Sequence, residues 1–81
     1  MTLKEWNNLI MYTKGIVCDL RDHGANVEFR TYGSELGKKG IVLQVFDVLG
    51  NLYNEYHSGI DTYAREVCAI GYYANKIKEE L

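Results

Sequence analysis

Apolar residues recur every three or four positions along the first quarter of the chain. Leu3, Trp6, Leu9, Ile10, Thr13, Ile16, Val17 and Leu20 fall on one side of a helix. Lys4, Asn8, Tyr12, Asp19 and Asp22 lie largely away from it. Thr2, with Glu5 three residues on, has the spacing of a capping box, in which side chain and backbone satisfy each other's free donors. Arg21 and His23 complement the negative end of the helix dipole, and Gly24 suits the left-handed residue that closes a helix. The spacing predicts a helix over residues 3–23, weakened at Gly15 by roughly 1 kcal/mol relative to alanine.

The period then changes to two. In residues 26–32, Val27, Phe29 and Thr31 alternate with Glu28, Arg30 and Tyr32, as in a half-buried strand. Gly33 and Gly40 bound a polar loop, and residues 41–49 form the most apolar run, suited to a central strand. Gly50-Asn51 supplies a turn, and residues 52–57 read as a third strand. Helical spacing returns over 61–80, where Tyr63, Val67, Ile70, Ala74 and Ile77 share a stripe and Ser58 or Asp61 is placed to cap. Ala64, Cys68 and Gly71 make one edge of this stripe small, which predicts close approach to the sheet or to the first helix.

The predicted class is α+β in the order α-β-β-β-α, a single compact domain over residues 1–81. A three-stranded antiparallel sheet would have both helices packed on one face. That face takes Val27, Phe29, Thr31, Ile41, Leu43 and Val45. The other takes Glu28, Arg30, Tyr32, Val42, Gln44, Phe46 and Val48, joined by Tyr53, Glu55 and His57 or by their neighbours, according to register. With Val42, Phe46, Val48 and the tyrosines exposed, it would form an apolar patch of the size that marks interaction sites. A twist or bulge in the second strand would instead send Phe46 to the core.

Composition sharpens this picture at two points. The chain has seven Tyr against two Phe and one Trp, more phenols than so small a core can hold. Its formal charge is -2, from nine Lys and Arg against eleven Asp and Glu, without a basic stripe or an acidic tail. No apolar run is long enough to span a membrane and the N-terminus has no signal-peptide pattern, so the expected location is cytoplasmic, with Cys18 and Cys68 as free, partly buried thiols.

Catalytic and cofactor signatures are weak. Neither cysteine has a histidine nearby in sequence, and the spacings of Cys18, His23, His57 and Cys68 contain no metal-binding clip. His57 and Glu55, two residues apart on one strand face, could polarise an imidazole, but exposed hydrogen-bonded pairs of this kind are far commoner than catalytic ones. Gly33, Gly37 and Gly40 with Lys38 and Lys39 lead into a strand, not a helix, so they are not a phosphate loop. A non-catalytic role with no cofactor and no metal is expected.

The element order resembles that of double-stranded-RNA-binding domains, in layout alone. That family binds duplex RNA through its first helix, the loop between its first two strands and a lysine cluster opening the last helix. Here the last helix opens Gly59-Ile60-Asp61-Thr62-Tyr63-Ala64-Arg65, with Arg65 as its single base and Asp61 placed to repel phosphate.

Two functional classes follow. One is an intracellular protein-binding module, an adaptor or inhibitor, using Tyr32, Phe46, Tyr53, Tyr56, Tyr63 and Tyr72 against another protein or a second copy of itself. An origin in a phage or other mobile element belongs to that reading on general character, with no residue to carry it. The alternative is nucleic-acid binding through Arg30, Lys38, Lys39 and Arg65, with exposed tyrosines stacking on bases.

Overall fold

The structure is a computed structural model and describes residues 1–33, 39–58 and 61–81. Its elements are α1 (Leu3–Asp22), β1 (Asn26–Gly33), β2 (Lys39–Phe46), β3 (Leu52–Ser58) and α2 (Tyr63–Glu79). The three strands form one antiparallel sheet in the order β1-β2-β3. The class is α+β, with the element order that the periodicities predict.

Both ends of α1 follow from local chemistry. The Thr2 backbone N–H donates to Glu5 Oε1 (2.9 Å), and the Glu5 N–H donates to Thr2 Oγ1 (3.1 Å), completing the capping box. At the other end Gly24 takes φ +94°, the left-handed conformation that glycine adopts without a steric penalty. Its N–H bonds to Arg21 O, and the N–H of Ala25 reaches back to Leu20 O, both at 3.0 Å. This is a Schellman closure, and the buried pair Leu20 and Ala25 seals it.

α2 starts later than its periodicity suggests. Neither Ser58 nor Asp61 caps it. Thr62 does, accepting from the Arg65 N–H, while Asp61 accepts from the Thr62 N–H and pairs with Arg65. Ser58 ends β3 instead.

β2 differs at both ends. It begins at Lys39, two residues before the apolar run, and stops at Phe46, so residues 47–49 are not strand. The cause is Asp47. Its carboxylate accepts from the backbone N–H groups of Leu49 and Asn51, both at 2.9 Å, and its carbonyl accepts from Gly50. An aspartate that binds the backbone two and four residues ahead competes directly with extended structure.

Register Val27↔Val45, Phe29↔Leu43 and Leu43↔Tyr56 places alternate residues on common faces. Val27, Ile41, Leu43 and Val45 are buried in one cluster with Leu9, Val17 and Leu20 of α1 and Ile70, Ala74 and Ile77 of α2. The helices run in the same direction. Tyr12 lies against Gly71, and seven residues further along each helix Lys78 Nζ is 2.7 Å from Asp19 Oδ2. Tyr12, on the polar side of the sequence pattern, is therefore partly buried between the helices. Of the small edge on α2, Gly71 meets a neighbour in this way, while Ala64 and Cys68 are exposed.

Gly15 has open space where a Cβ would sit. Gly15→Ala should therefore stabilise the fold by roughly 1 kcal/mol, a rise of about 4–8 °C in Tm by thermal denaturation. A fall in Tm would mean that α1 packs differently at this position.

Candidate protein-binding surface

The Asp47 turn builds the most exposed apolar feature among the described residues. By ending β2 it lifts Val48 and Leu49 off the sheet to a hairpin tip, where they are 102% and 83% exposed. Val48 therefore does not join the open sheet face expected of it. On the return strand the register shifts by one residue between Val45↔Asn54 and Phe46↔Leu52, leaving Tyr53 as the extra residue of a bulge. Leu52 and Tyr53 remain half or more exposed. Beside the tip lies an open cleft of about 450 Å³, lined by Ala25, Val45, Phe46, Val48, Tyr53, Ile77 and Leu81 together with polar groups of Asn26, Asp47 and Glu80.

Of the six residues read as protein-binding, only Phe46 and Tyr53 line this cleft. Tyr32 stands at the far end of β1, its ring over Gly40 of β2, where it covers the strand position that lacks a side chain. Tyr56 stacks on Tyr73 (ring centroids 5.1 Å), and Tyr72 meets Tyr73 edge-on at 6.1 Å. Burial, followed by the negative charge of Glu80, pushes the Tyr56 phenol up from its ordinary value. Tyr56, Tyr63 and Tyr73 pack against the core, whereas Tyr72 is exposed with Lys76 over its ring. The five tyrosines read as protein-binding are therefore not gathered on one surface.

The open sheet face is polar at its centre. Arg30 Nε donates to Gln44 Oε1 (3.1 Å), and Gln44 Nε2 donates to Glu55 Oε1 (3.0 Å). His57 lies 3.3 Å from the other Glu55 oxygen. These bonds, that from Gln44 first, hold the Glu55 carboxyl below the usual glutamate value. Val42 and Phe46 flank this three-strand ladder and are partly buried.

The residues read as nucleic-acid-binding are dispersed. Arg30 is on the open face. Lys39 has the parity of Ile41 and Leu43, and its Nζ sits over the Trp6 ring on the opposite side. Arg65 pairs with Asp61 at the start of α2, and Lys38 lies outside the described residues. Cys18 and Cys68 are free thiols, but exposed rather than partly buried. Among the described residues no group of three or more His, Cys, Asp or Glu is arranged to hold a metal ion, and no helix is long and apolar enough to cross a membrane.

One buried polar contact was not anticipated. Glu66 is 5% exposed, and its carboxyl is hydrogen-bonded by the equally buried Ser58 hydroxyl, which ties the start of α2 to the end of β3. Its position was visible in the sequence: three after Tyr63 and four before Ile70, Glu66 lies on the apolar stripe itself.

Compared with protein-family models and with curated proteins, the chain matches none.

Burial, followed by the like charge of Asp61, raises the Glu66 pKa above its ordinary 4.5. A carboxyl whose folded pKa is raised favours folding in its neutral form. Its contribution is complete below the unfolded value and is lost as pH rises towards the folded one. Glu66→Gln keeps the neutral form at every pH. Its Tm should match the wild type near pH 3.5 and exceed it increasingly as pH rises above about 4.5, the unfolded glutamate value. A constant difference between the two proteins from pH 3.5 to 7 would contradict this assignment.

Proposed function

We propose that this chain is a small, non-catalytic protein-binding module, an adaptor or inhibitor, that engages its partner through the hairpin tip and the adjoining cleft. The observation that carries the reading is the exposure of Val48 and Leu49 beside a cleft floored by Ala25, Val45 and Ile77. Burying each such side chain against a partner is worth roughly 1.5–3 kcal/mol, and nothing within the fold gains by exposing them. An apolar tip held rigid by Asp47 loses little conformational entropy on binding, which favours affinity. Phe46 and Tyr53 add aromatic area at the cleft wall, the residue class that dominates interface energetics. The dispersal of Arg30, Lys39 and Arg65 weighs against a phosphate-binding surface, because counterion release requires several cations on one track.

The double variant Val48→Asp/Leu49→Asp separates binding from folding. Both side chains are solvent-exposed at a turn, so its stability should stay within about 0.5 kcal/mol per site of wild type. Wild type should retain a stoichiometric protein partner from nuclease-treated host lysate, and the variant should lose it. Retention by both proteins would remove the hairpin from the interface. Capture that disappears on nuclease treatment would favour the nucleic-acid reading instead.

A further inference from the structure

We propose that the outer edge of β1 is a self-association site, at which β1 pairs antiparallel with β1 of a second copy in the register centred on Phe29. The two sheet edges are treated differently by the fold. In an antiparallel ladder the N–H and C=O of one residue point to the same neighbour, and successive residues alternate. The Asp47 N–H bonds to Asn51 O across the hairpin, so odd-numbered residues of β2 address β3 and even-numbered ones address β1. Through the register Glu28↔Gln44 and Arg30↔Val42, the inward groups of β1 are those of its even residues. Val27, Phe29 and Thr31 direct theirs outward.

By the same alternation, Glu55 and His57 face outward on β3, and that edge is blunted. The Asn54 side chain accepts from the Glu55 N–H (2.8 Å), and the Tyr73 hydroxyl donates to His57 O (3.1 Å). On β1 a single cap is present among the described residues, Arg21 Nε donating to Val27 O (2.9 Å). That carbonyl keeps a second lone pair, and the outward groups of Phe29 and Thr31 have no cap among the described residues. Natural edges left in this condition template strand addition.

Charge selects the occupant and the register. To continue one sheet with its faces matched, two copies must pair residues of the same parity. Centring on Phe29 places Glu28 of each copy opposite Arg30 of the other, at positions not bonded to each other, where side chains lie closest. Moving the centre to Glu28 opposes two carboxylates, and moving it to Arg30 opposes two guanidiniums. Glu28 has no ion pair among the described residues, and Arg30 uses only Nε towards Gln44, leaving both Nη groups available. The contact is two-fold symmetric and self-complementary, as a closed dimer requires. One strand pair buries little area, so the dimer should be transient and weakened by salt.

Sedimentation equilibrium at low salt tests this. Wild type should show a concentration-dependent monomer–dimer equilibrium. Glu28→Arg and Arg30→Glu should each weaken it by roughly tenfold or more, since both cross-strand pairs become repulsive. An equimolar mixture of these two variants should regain association. In the mixed dimer the introduced arginine of one variant faces the introduced glutamate of the other, and the native Arg30 of the first faces the native Glu28 of the second. Thr31→Pro removes an outward N–H that no bond among the described residues uses, and it should weaken dimerisation while the circular dichroism of the monomer stays native. A wild type that remains monomeric throughout, charge reversals without effect, or a mixture that fails to associate would overturn the proposal. So would loss of the dimer in Val48→Asp/Leu49→Asp, which leaves β1 untouched.

Discussion

The register of β2 is the constraint on which the rest of the molecule depends. Among the described strands it alone is paired on both sides, and its odd residues supply Ile41, Leu43 and Val45 to the core. Because strand side chains alternate with a period of two, a slip of one residue would exchange these for Val42, Gln44 and Phe46. The buried cluster would then have to take in a glutamine amide. The penalty for that polar burial, together with the apolar area lost to water, amounts to several kcal/mol against a total stability of about 5–15 kcal/mol for a domain. β1 and β3 take their own faces from β2, and Leu9 and Leu20 of α1 and Ile70 and Ile77 of α2 join the same buried cluster.

Much of this was legible in the sequence because the signals were local and redundant. Thr2, Glu5 and Gly24 mark α1 through hydrogen bonds that span three to five residues, so context had little room to override them. The departures arose where one polar side chain outweighed an apolar pattern. Val48 and Leu49 extend the run of β2, yet two hydrogen bonds to Asp47 turn them out of it. Asp at the first and Gly at the fourth position of 47–50 was the available signal, obscured by the surrounding apolar residues. Thr62 was missed as a cap because Ser58 and Asp61 carry equally competent oxygens, and only the path of β3 decides among them. The placement of Tyr12 depended on how two helices meet, which no single-element period contains.

The candidate site was less legible. An excess of tyrosine pointed to surface recognition, but it could not say that Tyr53 would go to the cleft, Tyr56 to a stack on Tyr73, Tyr32 to the Gly40 position and Tyr12 to the space between the helices. The physical reason is that several of these rings also serve the fold. Tyr56 and Tyr73 fill space beside the core, Tyr73 caps a carbonyl on the β3 edge, and Tyr32 covers a glycine. Among the described residues, the hairpin presents exposed aliphatic side chains and the β1 edge presents backbone groups that the fold does not use. These two features sit on different parts of the sheet, so one chain could hold a partner and a second copy of itself at once.

Residue-resolved amide hydrogen exchange, followed by NMR in dilute solution, tests the central role of β2 most directly. With β2 paired on both sides in the register described, the amides of Val42, Leu43, Gln44 and Val45 should all exchange slowly. In β1 the amides of Glu28 and Arg30 should be slow and those of Phe29 and Thr31 fast. Alternating protection within β2, or slow exchange at Phe29 and Thr31 with fast exchange at Glu28 and Arg30, would contradict the register and the account built on it.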